Sequence, residues 1–349
     1  LVRFVGLVIL LATIAAAVAS FFYNQSEEAD QAELVAAQVN MRLRDHLAVL
    51  EGVRALYQSD SAASGPAIRA YLAALRPQIQ APGMEGVGIA AAMRAATPAA
   101  IEAKLRENYG EDIKIWPATD QPIGFPVILV EPYTPRRHAA LGFDMYSEPI
   151  RRAAMRRAWQ TGHPAASGIV HLAQEKAATV KQPGFLIYLP VYARARAGAN
   201  AETLATAPGV RPVEAFVYAP FRTRDMMTAV LGSQLEGIDG IEVYAGEGPS
   251  APLVFSRGTM GWDAQEQKLR VADRIWTMRI SYGRSFERLG RPLAIFIFGV
   301  ALALLATQLH RVQRRRIDAF QALAAQKGTP CRGSRTDDRR DGAPDEKRL

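Results

Sequence analysis

One cysteine, Cys331, stands in a chain of 349 residues, and it lies near the C-terminus. No disulfide framework and no cysteine-ligated metal site can hold the remainder together, so it must fold by burying its own core. Motifs that carry chemistry are equally scarce. There is no glycine-rich phosphate loop, no paired-histidine zinc motif and no nucleophile elbow. The five histidines (His46, His138, His163, His171, His310) are scattered, with no spacing that suggests a shared metal. No catalytic residue, metal ligand or cofactor is read from this chain. An enzyme here would need a nucleophile–base pair that the sequence does not offer.

Positive charge is missing where a nucleic-acid binder would need it. The formal net charge is +8 and the pI about 9.7, yet from His310 to Leu349 eleven Lys or Arg face six Asp or Glu. Arg3 adds one more, which leaves Asn24 to Arg291 at only about +2. The basicity belongs to the ends, and no nucleic-acid partner is expected.

Long apolar runs, by contrast, are present. "FVGLVILLATIAAAVASFFY" (4–23) is uncharged over about 20 residues, enough to cross a bilayer's hydrocarbon core as a helix. "PLAIFIFGVALALLATQL" (292–309) is slightly shorter, still uncharged, and Pro292 suits a helix start. "HRVQRRRIDAF" follows directly, and the positive-inside rule makes that flank cytoplasmic, with Arg3 on the same side. The middle of the chain then faces outward. A rival reading takes Ala17-Val18-Ala19 as a signal-peptidase site, and it leaves residues 24–291 outside all the same.

Glycine and proline are nearly absent from "NQSEEADQAELVAAQVNMRLRDHLAVLEGVRALYQSD" (24–60). Apolar residues recur at Ala36, Val39, Leu43, Leu50, Val53 and Tyr57, a heptad-like spacing with His46 in the remaining seam slot. The seam serves either a second copy of the chain or the helix's own domain, and the sequence leaves both open. Beyond Gly65 come short alternating segments read as strands at 85–93, 126–132, 168–174, 184–192, 213–221, 240–246, 252–258, 268–272 and 274–282. Helices are expected at about 66–76, 98–108, 148–161 and 222–235, and 193–212 reads as a connecting loop. The class is α+β with antiparallel sheets.

One helix stands out for its charge. "SEPIRRAAMRRAWQTG" (147–162) carries Arg151, Arg152, Arg156 and Arg157. Ser147 is expected to cap it, Glu148 and Pro149 to fill its first turn, and Gly162 to end it. Ile150, Ala154 and Ala158 form the expected apolar line, with the arginines mainly solvated.

A family resemblance emerges from the order of several pieces: Glu131-Pro132, Gly142-Phe143-Asp144, Ser147-Glu148-Pro149, Gly162, Pro190-Val191-Tyr192 and Pro220-Phe221-Arg222. Together they resemble the CHASE domain, the extracytoplasmic sensory module of bacterial histidine kinases, diguanylate cyclases and plant cytokinin receptors. The likeness covers roughly residues 40–285. It implies a long helix followed by two PAS-like antiparallel-sheet subdomains, one of which holds a small ligand. In the plant receptors an acidic residue on the matching helix contacts an adenine-type ligand, and that position here is Arg151. An arginine presents donors suited to carboxylate or phosphate, so an anionic metabolite is the expected ligand. The same match places Ser167 and Tyr188 at pocket positions, with Phe143, Phe185 and Phe216 as apolar lining.

The expectation is therefore a multi-pass protein of the bacterial inner membrane. Its parts are a first span (1–23), a stalk helix (24–60), a periplasmic sensor domain (61–290), a second span (291–309) and a short tail (310–349). A homodimer through the stalk and membrane helices is expected. Relatives carry a kinase or cyclase after the second span, and this chain is expected to be cut short of one. A membrane-anchored periplasmic enzyme and a protein-interaction scaffold are the alternatives.

Overall fold

The computed structural model describes residues 2–59, 65–75, 83–94, 98–118, 121–172, 182–193, 211–232, 237–262, 264–282 and 285–327. Most of the expected 193–212 loop, Cys331 and the tail beyond Lys327 lie outside the described residues. The chain divides into two compact units, Leu1–Phe22 with Leu289–Leu349, and Tyr23–Arg288.

The described residues of the first unit are helical. It contains the start of α1 (Val2–Ser59) and most of α7 (Ser285–Lys327), both long and apolar enough to cross a membrane by length and composition. Leu7, Leu11, Val18, Phe296, Phe298 and Leu304 are among its many exposed apolar side chains. The two helices approach through small residues. A Cβ on Gly6 would meet Thr307 Oγ1 at 3.0 Å, and one on Gly299 would run into Thr13. Both threonine hydroxyls donate to the carbonyl one turn back, Thr13 to Ile9 and Thr307 to Ala303, each at 2.7 Å.

The second unit mixes helices with antiparallel sheets. After α1 come α2 (Gly65–Ala74), β1 (Val87–Ala91), β2 (Met93–Arg94), α3 (Pro98–Tyr109), β3 (Ile123–Gly124), β4 (Val127–Glu131) and α4 (Pro135–His138). Then follow α5 (Pro149–Thr161), β5 (Ala165–Ala166), β6 (Val170–His171), β7 (Pro183–Tyr192), β8 (Val213–Arg222) and α6 (Thr223–Leu231). Four strands close the unit: β9 (Ile238–Tyr244), β10 (Leu253–Gly258), β11 (Gln265–Val271) and β12 (Arg274–Tyr282). The larger sheet runs β4-β1-β8-β7-β5, with β6 also on β7, and the smaller runs β10-β9-β12-β11.

In β7, Gly184 through Val191 are all buried, which is why the segment reads as a continuous apolar run rather than an alternation. Its Pro190 lies past the point where β5 ends against Tyr188. Pro220 of β8 likewise lies past the last β1 pair, Gly88 with Tyr218. A proline is tolerated where one neighbouring strand has stopped, since it has no N–H to give to a ladder.

The two sheets and α1 share one core. Phe185 stacks on Phe221 at 5.0 Å and meets the edge of Trp276 from β12 at 4.9 Å. The seam of α1 closes on this core within the same chain: Val39, Leu43, His46, Leu50, Val53 and Tyr57 are all buried, and His46 meets Phe221 at 5.5 Å. Asn40 fastens the helix to β11 by accepting the Arg270 N–H at 2.7 Å. The predicted seam is thus occupied by the helix's own domain.

Burying His46 has a pH consequence. Desolvation pushes its imidazole below the ordinary histidine value, against the opposing pull of the Arg42 carbonyl and Asp45. A folded-state value below the unfolded one means the unfolded chain binds more protons. Stability should therefore be complete above about pH 6.5 and fall as the pH drops toward the lower folded value, by at most about 1.4 kcal/mol per pH unit. The difference in denaturant midpoint between wild type and His46→Leu, followed with pH, should show this slope. A flat difference would contradict it.

Candidate functional site

The arginine helix α5 lies against β7 and β5 and begins as a capped turn. Glu148, rather than the expected Ser147, is the cap: its carboxylate accepts the N–H groups of Ile150 and Arg151, both at 2.9 Å. Ser147 instead donates its hydroxyl to the Asp144 carbonyl. Gly162 ends the helix at φ 75, as expected. The buried face is Arg151, Ala154, Met155, Ala158 and Trp159, while Ile150 is 43% exposed. Those five follow the i, i+3, i+4, i+7, i+8 spacing of a core-facing stripe, with an arginine in its first slot.

Arg151 is 5% exposed. Its Nη2 donates to the His171 carbonyl at 2.7 Å, and its Nη1 lies 3.6 Å from the Glu148 carboxylate. Its Nε meets no acceptor among the described residues. The guanidinium sits over the Phe143 ring at 5.1 Å, a cation–π contact in a dry setting.

Tyr188 of β7 is fully buried beneath α5, and its hydroxyl reaches Met145 Sδ at 3.6 Å. Burial drives this phenol well above its ordinary range, opposed by Arg151. Tyr218, directly opposite on β8, is pushed up by burial as well. Both phenols stay neutral, so this face offers a cation and two hydroxyls but little negative charge besides Glu148. Gly88 and Ala90 of β1 pair with Tyr218 and Phe216, and a Cβ on Gly88 would collide with the Tyr218 ring.

The six expected pocket residues separate into groups. Arg151, Phe143 and Tyr188 come together, and Phe216 joins them on the same sheet face at 6.3 Å from Tyr188. Ser167 reaches the edge of that face with its hydroxyl committed, donating to the Gly168 carbonyl and accepting the Leu186 N–H at 3.0 Å. Phe185 is not with them. Three residues from Tyr188 along a strand, it points to the opposite face and into the core with Phe221 and Trp276. Met145, Glu148 and Tyr218 adjoin Arg151 and Tyr188 but are not among the residues singled out from the sequence. Tyr218 was signalled by strand parity, two residues beyond Phe216.

The remaining arginines are less solvated than expected. Arg152 donates to the carbonyls of Tyr146 and Ser147, while Arg156 is exposed. Arg157 forms a latch to the β11–β12 turn. Its Nε donates to Asp273 at 2.7 Å and its Nη2 to the Ala166 carbonyl at 2.6 Å. Asp273 also accepts the Ala166 N–H at 2.8 Å, and Arg274 Nε reaches the same carbonyl at 3.1 Å. These groups are about a third exposed, so Asp273→Ala should cost only about 1–2 kcal/mol in a denaturant melt. Asp273→Asn, which keeps an acceptor for Ala166, should recover part of that loss.

Asp144 explains another piece of the pattern. Its Oδ1 accepts the N–H groups of Phe125 at 2.7 Å and Tyr146 at 2.9 Å, and burial raises its carboxyl above the usual range. Gly142 before it adopts φ 74, where a Cβ would strike the Lys114 carbonyl. This Gly-Phe-Asp turn delivers Phe143 to Arg151.

A family model of the CHASE domain matches residues 63–255, more than half of the chain. The chain belongs to the CHASE-domain family. That module is sensory rather than catalytic, and it works outside the cytoplasm. The match stops before β11 and β12, and the smaller sheet continues past it, since β12 pairs with β9. No curated protein matches the chain. Among solved structures it is similar to an extracellular ligand binding receptor from Desulfohalobium retbaense DSM5692, at 10% identity and a TM-score of 0.43. That likeness covers 72% of this chain and spans 39% of the receptor's length.

Proposed function

We propose that the chain is a membrane-anchored sensor whose CHASE module reads an anionic small molecule outside the cytoplasm, with Arg151 as the reader. One observation carries this: a guanidinium 5% exposed, with an Nε lacking any described acceptor, set between Phe143 and Tyr188. Phe143 and Phe216 supply the apolar walls, and Ser167 shapes the edge through Leu186. The proposed organisation is a first span at 1–23, a stalk at 24–60, a sensor at 61–290, a second span at 291–309 and a cytoplasmic tail at 310–349. The protein would pass twice through the bacterial inner membrane with its sensor in the periplasm. The larger sheet's strand order supports a PAS-like reading of that subdomain. Output would fall to a kinase or cyclase module, as in the family's receptors.

The test uses the purified full chain in lipid nanodiscs, titrated with a panel of carboxylates, phosphate esters and uncharged analogues. Saturable thermal stabilisation by anions, with the ligand recovered unchanged, is the expected result. Consumption of the ligand would favour an enzyme, and stabilisation by uncharged analogues alone would remove the anion.

Dimerisation belongs to the same proposal. Since the first seam of α1 is covered by its own domain, a second copy would meet another face, where Leu34 and Met41 lie seven residues apart at 64% and 52% exposure. With Cys331 replaced by serine, a cysteine at Met41 should cross-link two chains in membranes, whereas one at the buried Leu43 should not. Equal cross-linking at both positions would contradict this face.

A further inference from the structure

A groove separate from the Arg151 site lies where α1 meets β11 and the β11–β12 turn. It is open to solvent, has a volume of about 390 Å³ and is lined by Asn40, Arg44, Leu47, Arg270 and Ala272. That volume suits a small metabolite. No lining residue is acidic. Asn40 is already committed, accepting the Arg270 N–H and donating weakly to the Lys268 carbonyl. The guanidinium groups of Arg44 and Arg270, both exposed, by contrast have no hydrogen bond or ion pair among the described residues. Two neighbouring charges are engaged elsewhere: Asp273 on Arg157 and Ala166, and Lys268 on Glu247.

We infer that this groove is a second anion site, taking a small carboxylate- or phosphate-bearing molecule between Arg44 and Arg270. Two guanidinium groups flanking one groove repel each other and share a need for negative charge. Each presents a planar fork of donors matched to an oxyanion. Leu47, partly buried, gives the groove an apolar patch. The turn beside it is held in a costly form, since Ala272 adopts φ 54 at the first of two turn residues, a conformation favoured for glycine. A bound anion would tie α1 to the smaller sheet. It would do so on the turn that also carries the Asp273 latch to α5. Occupancy would thus bias the stalk helix without touching Arg151.

Hydrogen exchange on the full chain in nanodiscs tests this, with inorganic phosphate as the probe at constant ionic strength. In neutral phosphatidylcholine discs, added phosphate should slow exchange saturably in the segments around Asn40–Leu47 and Gln265–Val271. Arg44→Gln and Arg270→Gln should each weaken that effect about tenfold, the loss of one charged hydrogen bond. Arg156→Gln, which removes an exposed arginine of α5, should leave it unchanged. Protection of the same two segments by phosphatidylglycerol discs without phosphate would assign the anion to a lipid headgroup and still support the site. Protection that is unsaturable, that survives both groove substitutions, or that falls equally in Arg156→Gln would overturn it.

Discussion

Phe185→Ala should be among the most destabilising single substitutions in the sensor unit, costing about 3–5 kcal/mol. The ring is fully buried, stacked on Phe221 and edged by Trp276, so it joins the larger sheet to the smaller one. Its removal opens a cavity at the centre of the unit, where β7, β8, β12 and α1 converge. Phe185→Leu refills most of that space and should cost distinctly less. Denaturant melts of the full chain provide the measurement. Ligand affinity of the folded fraction should be unchanged, because the side chain faces away from Tyr188 and Arg151. A variant of full stability with lost binding would return Phe185 to the pocket, the role implied by the family resemblance.

Substituting Arg151 should produce the largest change in ligand binding. Arg151→Gln removes the charge yet keeps a donor for the His171 carbonyl, and it should lower anion affinity about ten- to hundredfold. Arg151→Lys should recover little of this, because an ammonium cannot reproduce the fork that spans His171, Glu148 and a ligand at once. Arg151→Ala also leaves a hole under α5 and removes the cation beside Glu148. It should therefore destabilise the unit as well, by about 2 kcal/mol or more. Binding measured on the glutamine variant separates the two effects. Unchanged anion affinity there would remove Arg151 from the site.

The strands were legible because burial wrote itself into runs such as "GFLIYLPVY", and the turns because Gly142 and Gly162 adopt backbone angles that glycine favours. The site was harder. The rule that apolar residues face the core puts Ile150 inward and most of the arginines outward, and only the family resemblance singles out Arg151. The helix does the reverse at its first turn, where Arg151 takes the core slot and Ile150 is exposed. Its burial depends on partners outside the helix, the His171 carbonyl and the Phe143 ring, which helical periodicity does not reveal. Ser167 is similar: its hydroxyl is consumed by Leu186, a pairing set by sheet register. The opposite placement of Phe185 and Tyr188, however, was within reach. An odd separation along a strand puts two side chains on different faces. For α1 the heptad pattern was correctly located, but periodicity alone could not say whether a second copy or its own sheets would fill the seam.

The most direct measurement is the side of the membrane on which the sensor unit resides. Alkaline phosphatase and β-galactosidase, fused in turn near Gly198, report opposite compartments. The account predicts an active phosphatase and a silent galactosidase, which would place residues 24–291 where an external anion can reach Arg151. An active galactosidase with a silent phosphatase would put the unit in the cytosol and contradict it.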